Sequence, residues 1–411
     1  VKIVDISEFY SPTGGGVRHY VDQKFKAAAR HGLALTVIAP GTENRTEHRD
    51  GGKLIWIETP QLPFDPNYRM FWGAKEVFRV IDAEKPDILE GSSPWRGGWL
   101  AAKWPGKAVK MLFMHADPVA VYPQTLLTGK LSPAAIDKLF GWYWAYLRRL
   151  NARFDGCVVA GSWLAKRFAQ YGLRNLHVAP FGVETSWFQP GLRDEALRRE
   201  MLAQCGLGPD AALVLNIGRH HPEKRVHTLI DVMHQAQEGR PIGFYVVGDG
   251  FIHGSIKAKA EGVPHVHLAG WLKDRDTVAR TLASADVLLH GSSAETYGFA
   301  VAEALCCGTP VVVPNTGGAA DLAAPAYAET YIPGNAEDGA RALLKLLSRD
   351  RVQLSKAAAD AAAHRIGDLD SHFDKLFSLF DQALERKAAR NTVRTREPVI
   401  CEDAYVSPEG L

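Results

Sequence analysis

The stretch SSAETYGFAVAEALCCGTPVVVPNTGG, residues 292–318, decides the fold. A strand-like run, DVLLHGS (286–292), leads into it. A loop carrying Glu295 follows, then an apolar helical segment from about Gly298 that stops at Gly308, ahead of Pro310. PVVVP (310–314) reads as a second strand, continuously apolar as expected of a strand buried on both faces. Strand, helix and strand in that order form a βαβ unit whose first loop sits at a carboxyl strand end.

Working outward, the same alternation fills the chain. The first half offers runs at 1–7, 33–40, 53–58, 87–91, 108–115, 156–161 and 176–181. The second offers 211–218, 243–250, 265–271, 286–292, 310–314 and 330–334. Such alternation predicts an α/β protein with two Rossmann-like, doubly wound parallel sheets. The break falls in the polar, Pro/Gly-containing segment 182–200. Expected units are residues 1–183 and 184–365, a helix over 366–390 packing back on the first unit, and a polar tail over 391–411. Two such sheets facing each other turn their carboxyl strand ends to one cleft, the expected ligand site.

Composition narrows the class. With 46% apolar and 23% charged residues and a net charge of +2, the 411-residue chain reads as globular, and nothing global recruits nucleic acid. Its five cysteines (Cys157, Cys205, Cys306, Cys307, Cys401) form no CxxC, and Cys306-Cys307 fall in an apolar helix. That usage fits a reducing compartment, and with neither a signal peptide nor an eighteen-residue apolar run the expected location is cytoplasmic.

Three loops carry chemistry. Gly14, Gly15 and Gly16 precede a helix beginning near Val17, where backbone N–H groups can approach a diphosphate; a plain flexible turn is the alternative. The stretch is no dinucleotide fingerprint, because position 19 is His and the second strand ends in VIAPG without an acid. After LVLNIG come Arg219 and Lys224, two cations flanking a helix start, suited to a phosphate-bearing ligand; a solvated surface pair is the alternative. On the opening stretch, Thr296, Tyr297, Gly298 and Phe299 offer N–H groups to an anion, while Glu303 suits a ribose diol and Glu295 sugar hydroxyls.

Together, the two glutamates with seven residues between them, the GTPVV ending, the GR…EKR loop, the GDG at 248–250 and the glycine loop resemble the family-four retaining glycosyltransferases of the GT-B fold. The resemblance runs to about residue 385. It implies that Arg219 and Lys224 bind the donor diphosphate, Glu303 the ribose and Glu295 the transferred sugar. His115, in KMLFMHADP, matches the family's active-site histidine, and Asp117 becomes an acceptor contact. The family often has Lys-Gly where this chain has Lys224-Arg225. The implied reaction is hexosyl transfer with retention by front-face attack, from a UDP-sugar by preference or from GDP-mannose, with no resident cofactor. No metal is expected: Asp274 and Asp276 in KDRD spell a DxD, read here as a solvated loop.

The acceptor is expected to be a membrane lipid or a growing glycan. Aromatics at 70–73, 93–104 and 138–153, with Lys130, Lys138, Arg148, Arg149 and Arg153 against one acid, Asp137, suit the surface of an anionic membrane at its inner face. The competing reading packs Tyr143, Leu147, Leu150 and Phe154 into the core. Two rival functions share the architecture: a nucleotide-sugar 2-epimerase and a non-catalytic sugar-nucleotide-binding protein.

Overall fold

Two sheets organise the chain in a computed structural model that describes residues 1–12, 16–62, 65–127, 130–237 and 241–394. Gly14, Gly15, Cys401 and the tail beyond residue 394 lie outside the described residues. The first sheet draws on β1 (Lys2–Ile6), β2 (Ala34–Gly41), β3 (Arg45–Arg49) and β4 (Gly52–Glu58). A hairpin of β5 (Gln61–Leu62) and β6 (Asp65–Arg69) stands apart. β7 (Ile88–Gly91), β8 (Val109–Met114), β9 (Gly156–Val159) and β10 (Leu176–Val178) complete the sheet in the order β10-β9-β8-β7-β1-β2-β4-β3. The second sheet uses β11 (Ala212–Ile217), β12 (Ile242–Val247), β13 (Val266–Gly270), β14 (Val287–Leu289), β15 (Val311–Pro314) and β16 (Ala328–Tyr331), ordered β13-β12-β11-β14-β15-β16. Every pairing is parallel except β3 with β4 and β5 with β6. All thirteen runs read as strands from sequence are strands; β3 and the β5–β6 hairpin are additions.

The helices that position the site are α1 (Gly16–Arg30), α2 (Gly141–Asn151), α3 (Ser162–Gln170), α4 (Val226–Ala236), α5 (Arg275–Ser284), α6 (Phe299–Cys306), α7 (Gly318–Leu322) and α8 (Leu369–Arg394). On α1, Tyr20, Val21, Lys24, Phe25, Ala27 and Ala28 recur at helical spacing and face the sheet. On α2, Tyr143, Leu147 and Leu150 are buried, as is Phe154 just beyond it, while Trp142 is left exposed. Helix α2 thus covers core first, as the competing reading of that segment has it. Cys306 and Cys307 are free and buried. Among the described residues no helix is long and apolar enough to cross a membrane.

Helix α8 ties the end of the chain to the first sheet's layer. His372 donates through Nδ1–H to the Pro180 carbonyl (3.0 Å), so its Nε2 accepts the Tyr20 hydroxyl (3.0 Å). Burial pushes His372 down to about 4, so this tautomer stays neutral at physiological pH.

Beneath α1 lies a charged core. Lys24 Nζ sits 2.8 Å from Asp5 and 2.6 Å from Glu90, with all three side chains sealed from solvent. Burial raises the Glu90 carboxyl, and Lys24 only partly offsets this. Removing one member of a buried ionic group strands its partners. Lys24→Met is therefore expected to lose roughly 3–5 kcal/mol in urea unfolding at neutral pH. Asp5→Asn/Lys24→Met/Glu90→Gln should recover most of it; equal destabilisation of both variants would contradict this.

Candidate active site

In the second sheet the chain leaves β11 toward β12 on one side and returns later to β14 on the other. The loops at the carboxyl ends of β11 and β14 therefore face each other across a crevice, where open α/β sheets bind ligands. Lys224 stands on the first loop and Glu295 on the second, and their side chains close an ion pair across it. Glu223 lies 3.5 Å from Lys224, and His290 Nε2 lies 3.7 Å from Glu295. The loops meet this closely because residue 291 is glycine: a Cβ there would stand 2.4 Å from the Lys224 carbonyl oxygen.

Burial alone would raise the Glu295 carboxyl, but Lys224, aided by Arg219, outweighs it and holds the group below the usual carboxylate range. Burial likewise opposes the charge on Lys224, and Glu295 with Glu223 reverses that effect upward. His290, pushed down to about 4 by burial, stays neutral beside them. Arg219 is 73% exposed and reaches Glu223 only at 3.9 Å. The crevice thus holds one enclosed, paired cation and one exposed cation.

Helix α6 begins at Gly298, whose φ of 94° is left-handed and favours glycine. Its start and the preceding loop line two cavities of about 540 and 360 Å³ that share Glu295, Phe299 and Glu303 as a common wall. The larger adds Gly16, His19, Tyr20 and His115 from the first sheet's layer, with Tyr297 and Gly298; the smaller adds Arg219, Lys224, Gly248, Trp271 and Leu272. Glu303 makes no side-chain hydrogen bond to a described residue, and burial pushes its carboxyl up to about 7, with Arg275 partly offsetting. It is a carboxylate poised to accept hydroxyl hydrogens.

His115 packs its ring edgewise on Phe113 (centroids 4.1 Å apart) and against Tyr20. Burial drives it down to about 3, so it is a neutral imidazole. Its carbonyl oxygen accepts the Thr296 hydroxyl at 2.9 Å, tying the two loop systems together. The structure thus brings Gly16, His115, Arg219, Lys224, Glu295, Tyr297, Gly298, Phe299 and Glu303 to one composite cleft, while Gly15 lies outside the described residues.

Asp117 does not join them. It is fully buried, accepts the backbone N–H groups of Val119 (2.9 Å) and Ala120 (3.2 Å), and pairs with Arg167. Those bonds engage the carboxylate in capping the turn and in pairing with Arg167. Asp274 of the DxD caps α5 through Thr277 N–H and Oγ1, both at 2.8 Å.

Sequence reasoning missed several lining residues. Trp271 and Leu272 follow β13, and nothing local marks an exposed Trp as a wall. Arg275 and His19 meet at 3.4 Å, and Arg275 pairs with Glu184 across the cleft mouth. His220 and His253 meet Nδ1 to Nδ1 at 2.9 Å with rings 9° from coplanar, beside Asp249 of the GDG. This ring-to-ring contact braces the loop that carries Arg219.

A family model described as "Glycosyl transferases group 1" matches residues 211–349, and another described as "Glycosyltransferase Family 4" matches residues 14–187. The chain belongs to the family 4, group 1 glycosyltransferases. It is 28% identical over 320 residues to a GDP-mannose-dependent alpha-(1-6)-phosphatidylinositol dimannoside mannosyltransferase of Mycobacterium tuberculosis, covering 77% of this chain and 80% of that one. It is 27% identical over 341 residues to a GDP-mannose-dependent alpha-mannosyltransferase of the same species, covering 81% and 84%. Among solved structures, sucrose-phosphate synthase from Thermosynechococcus elongatus is similar with a TM-score of 0.70 at 19% identity, over 94% of this chain and 99% of that one. Anabaena HepE in complex with UDP is similar with a TM-score of 0.65 at 17% identity, over 96% and 100%. At such identities the likeness is one of fold, and the fold is GT-B.

For this glycosyltransferase, the raised Glu303 carboxyl predicts a pH dependence if it receives a ligand diol. A ligand diol that donates to its carboxylate needs the ionised form, so affinity is lost as pH falls through about 7. Nucleotide-sugar affinity measured calorimetrically should weaken toward roughly tenfold per pH unit below that point. Glu303→Gln should be weaker but nearly pH-independent, whereas an unchanged slope in that variant would contradict the role.

Proposed function

We propose that this protein transfers a hexosyl unit from a nucleotide-diphosphate sugar to a hydroxyl acceptor, with retention and without a metal. The observation that carries the reading is the Lys224–Glu295 pair at the switch crevice, with Glu303 and Arg219 on the same walls. Lys224, Arg219 and the N–H groups opening α6 would hold the diphosphate and stabilise charge as it departs. Glu303 would take the ribose diol and Glu295 the transferred sugar. The exposed Trp271 offers a face for the base.

Within the cleft, no described carboxylate besides Glu295 and Glu303 combines burial with access to both cavities, and the ion pair with Lys224 leaves Glu295 a hydrogen-bond acceptor for the sugar rather than a nucleophile. That favours front-face attack, in which the departing phosphate oxygen takes the acceptor's proton. His115, neutral and walled by aromatics, orients the sugar rather than serving as base. The sequence reading prefers a UDP-sugar, but the GDP-mannose-dependent relatives move the choice of donor to GDP-mannose.

For the acceptor, a lipid at a membrane surface is supported by the first lobe. Trp72 and Trp142 are 73% and 68% exposed, and Leu126 and Leu139 also stand outside the core. Arg96 donates to the Phe71 and Trp72 carbonyls at 2.9 and 2.6 Å, adding charge beside the aromatics. Interfacial Trp with basic neighbours suits anionic lipid.

Two tests follow. With GDP-mannose as donor, Lys224→Ala should lower kcat/KM by at least ~10²-fold, as when one preorganised donor to a developing anion is removed. Near wild-type kcat/KM would defeat the assignment. In flotation assays the protein should rise with anionic but not neutral liposomes, and Trp72→Ser/Trp142→Ser should stay behind. Flotation unaffected by that double variant would remove the membrane from the account.

A further inference from the structure

A third cavity, about 570 Å³, opens on the other side of the same two loops and shares no lining residue with the donor cavities. Arg225 follows Lys224 directly, and Ser293 precedes Glu295 by two positions. From the first lobe, α3 contributes Trp163, Lys166 and Arg167. The two lobes are pinned at this rim: Trp163 donates its indole N–H to the Thr316 hydroxyl (2.9 Å) and its backbone N–H to Asp321 (2.6 Å).

The charge here is one-sided. Three cations line the cavity and no described carboxylate does. Arg167 is already engaged by Asp117 and Asp137 behind the wall. Lys166 makes no ion pair with a described residue, and Arg225 brings a guanidinium into a half-buried position. Arg225 also holds φ 52° and ψ 35°, a left-handed conformation that a residue with a Cβ rarely adopts. Such conformations persist where the surroundings fix them and gather at ligand sites. Hydroxyl donors complete the set: Thr316 accepts from Trp163 and so keeps its own hydrogen to give, and Ser293 stands beside it.

We infer that this cavity is the acceptor's anion subsite, in which Arg225 and Lys166 hold a phosphate ester carried by the acceptor. A guanidinium, an ammonium and two hydroxyls match a tetrahedral oxyanion with several acceptor oxygens. The inference rests on the glycosyltransferase reading, since Arg219 and Lys224 already account for the donor's phosphates. Arg225 is therefore a specificity-determining residue that favours phosphorylated over neutral acceptors.

The test is equilibrium binding with the donor site saturated by nucleoside diphosphate. Glycerol 1-phosphate, glycerol and dihexanoyl phosphatidic acid below its micellar concentration serve as probes. The wild type should bind the phosphate esters at least tenfold more tightly than glycerol. Arg225→Gly, whose glycine suits the backbone, and Lys166→Ala should each lose most of that preference while nucleoside diphosphate affinity stays within about twofold. Tighter binding of the lipid than of the soluble ester would assign the phosphate to a lipid headgroup; equal binding would assign it to a soluble ester. Ester affinity unchanged in both variants, or esters that bind only by displacing the nucleoside diphosphate, would overturn the subsite. A wild type that binds the esters but no nucleoside diphosphate would instead count against the donor reading alone.

Discussion

One lysine and one glutamate, drawn from loops on opposite sides of a reversal in strand order, hold the second lobe's crevice in shape. A buried ion pair is a poor stabiliser, because both charges surrender their hydration. Here the pair is embedded in further charge: Glu223 shares the lysine, His290 abuts the glutamate, and Gly291 lets the backbones approach. The crevice is thus preorganised before any ligand arrives. On the proposed reading, an incoming diphosphate would share Lys224 with Glu295 and draw Arg219 in from solvent, where it makes one long contact. Preorganised charge of this kind contributes most where negative charge develops during reaction.

Neutral groups join the lobes around that charged centre. His115, His290 and His372 are all held uncharged by burial, and His372 spends its two ring nitrogens on the Pro180 carbonyl and the Tyr20 hydroxyl. Phe181, following β10, stacks on Phe299 at 5.3 Å and meets Tyr297 edgewise. Charge is concentrated at the rim, in Arg275 and Glu184. An apolar seam with an ionic rim would keep water from the cleft yet separate at modest cost, which would suit closure on substrates.

Much of this was legible from sequence. Parallel strands buried on both faces are continuous apolar runs, so all thirteen were readable, and the βαβ unit of residues 286–314 located both glutamates. β3, RTEHR, was not: as an antiparallel edge strand it alternates polar residues and carries no apolar signal. The β5–β6 hairpin is too short for any period to register. At the site, residues on carboxyl-end loops were found because their chemistry is local. Trp271, Arg275 and the His220–His253 contact were not, since each depends on a loop from elsewhere in the chain. Asp117 stands two positions after His115, and the turn it caps directs its carboxylate toward Arg167, a pairing with a residue fifty positions on that no local pattern announces.

The most direct test of the central claim is a crystal structure with nucleoside diphosphate bound. The account predicts phosphate oxygens within hydrogen-bond distance, about 3 Å, of both Lys224 and Arg219, with the ribose hydroxyls on Glu303. A nucleotide seated away from these cations and from Glu303 would contradict it.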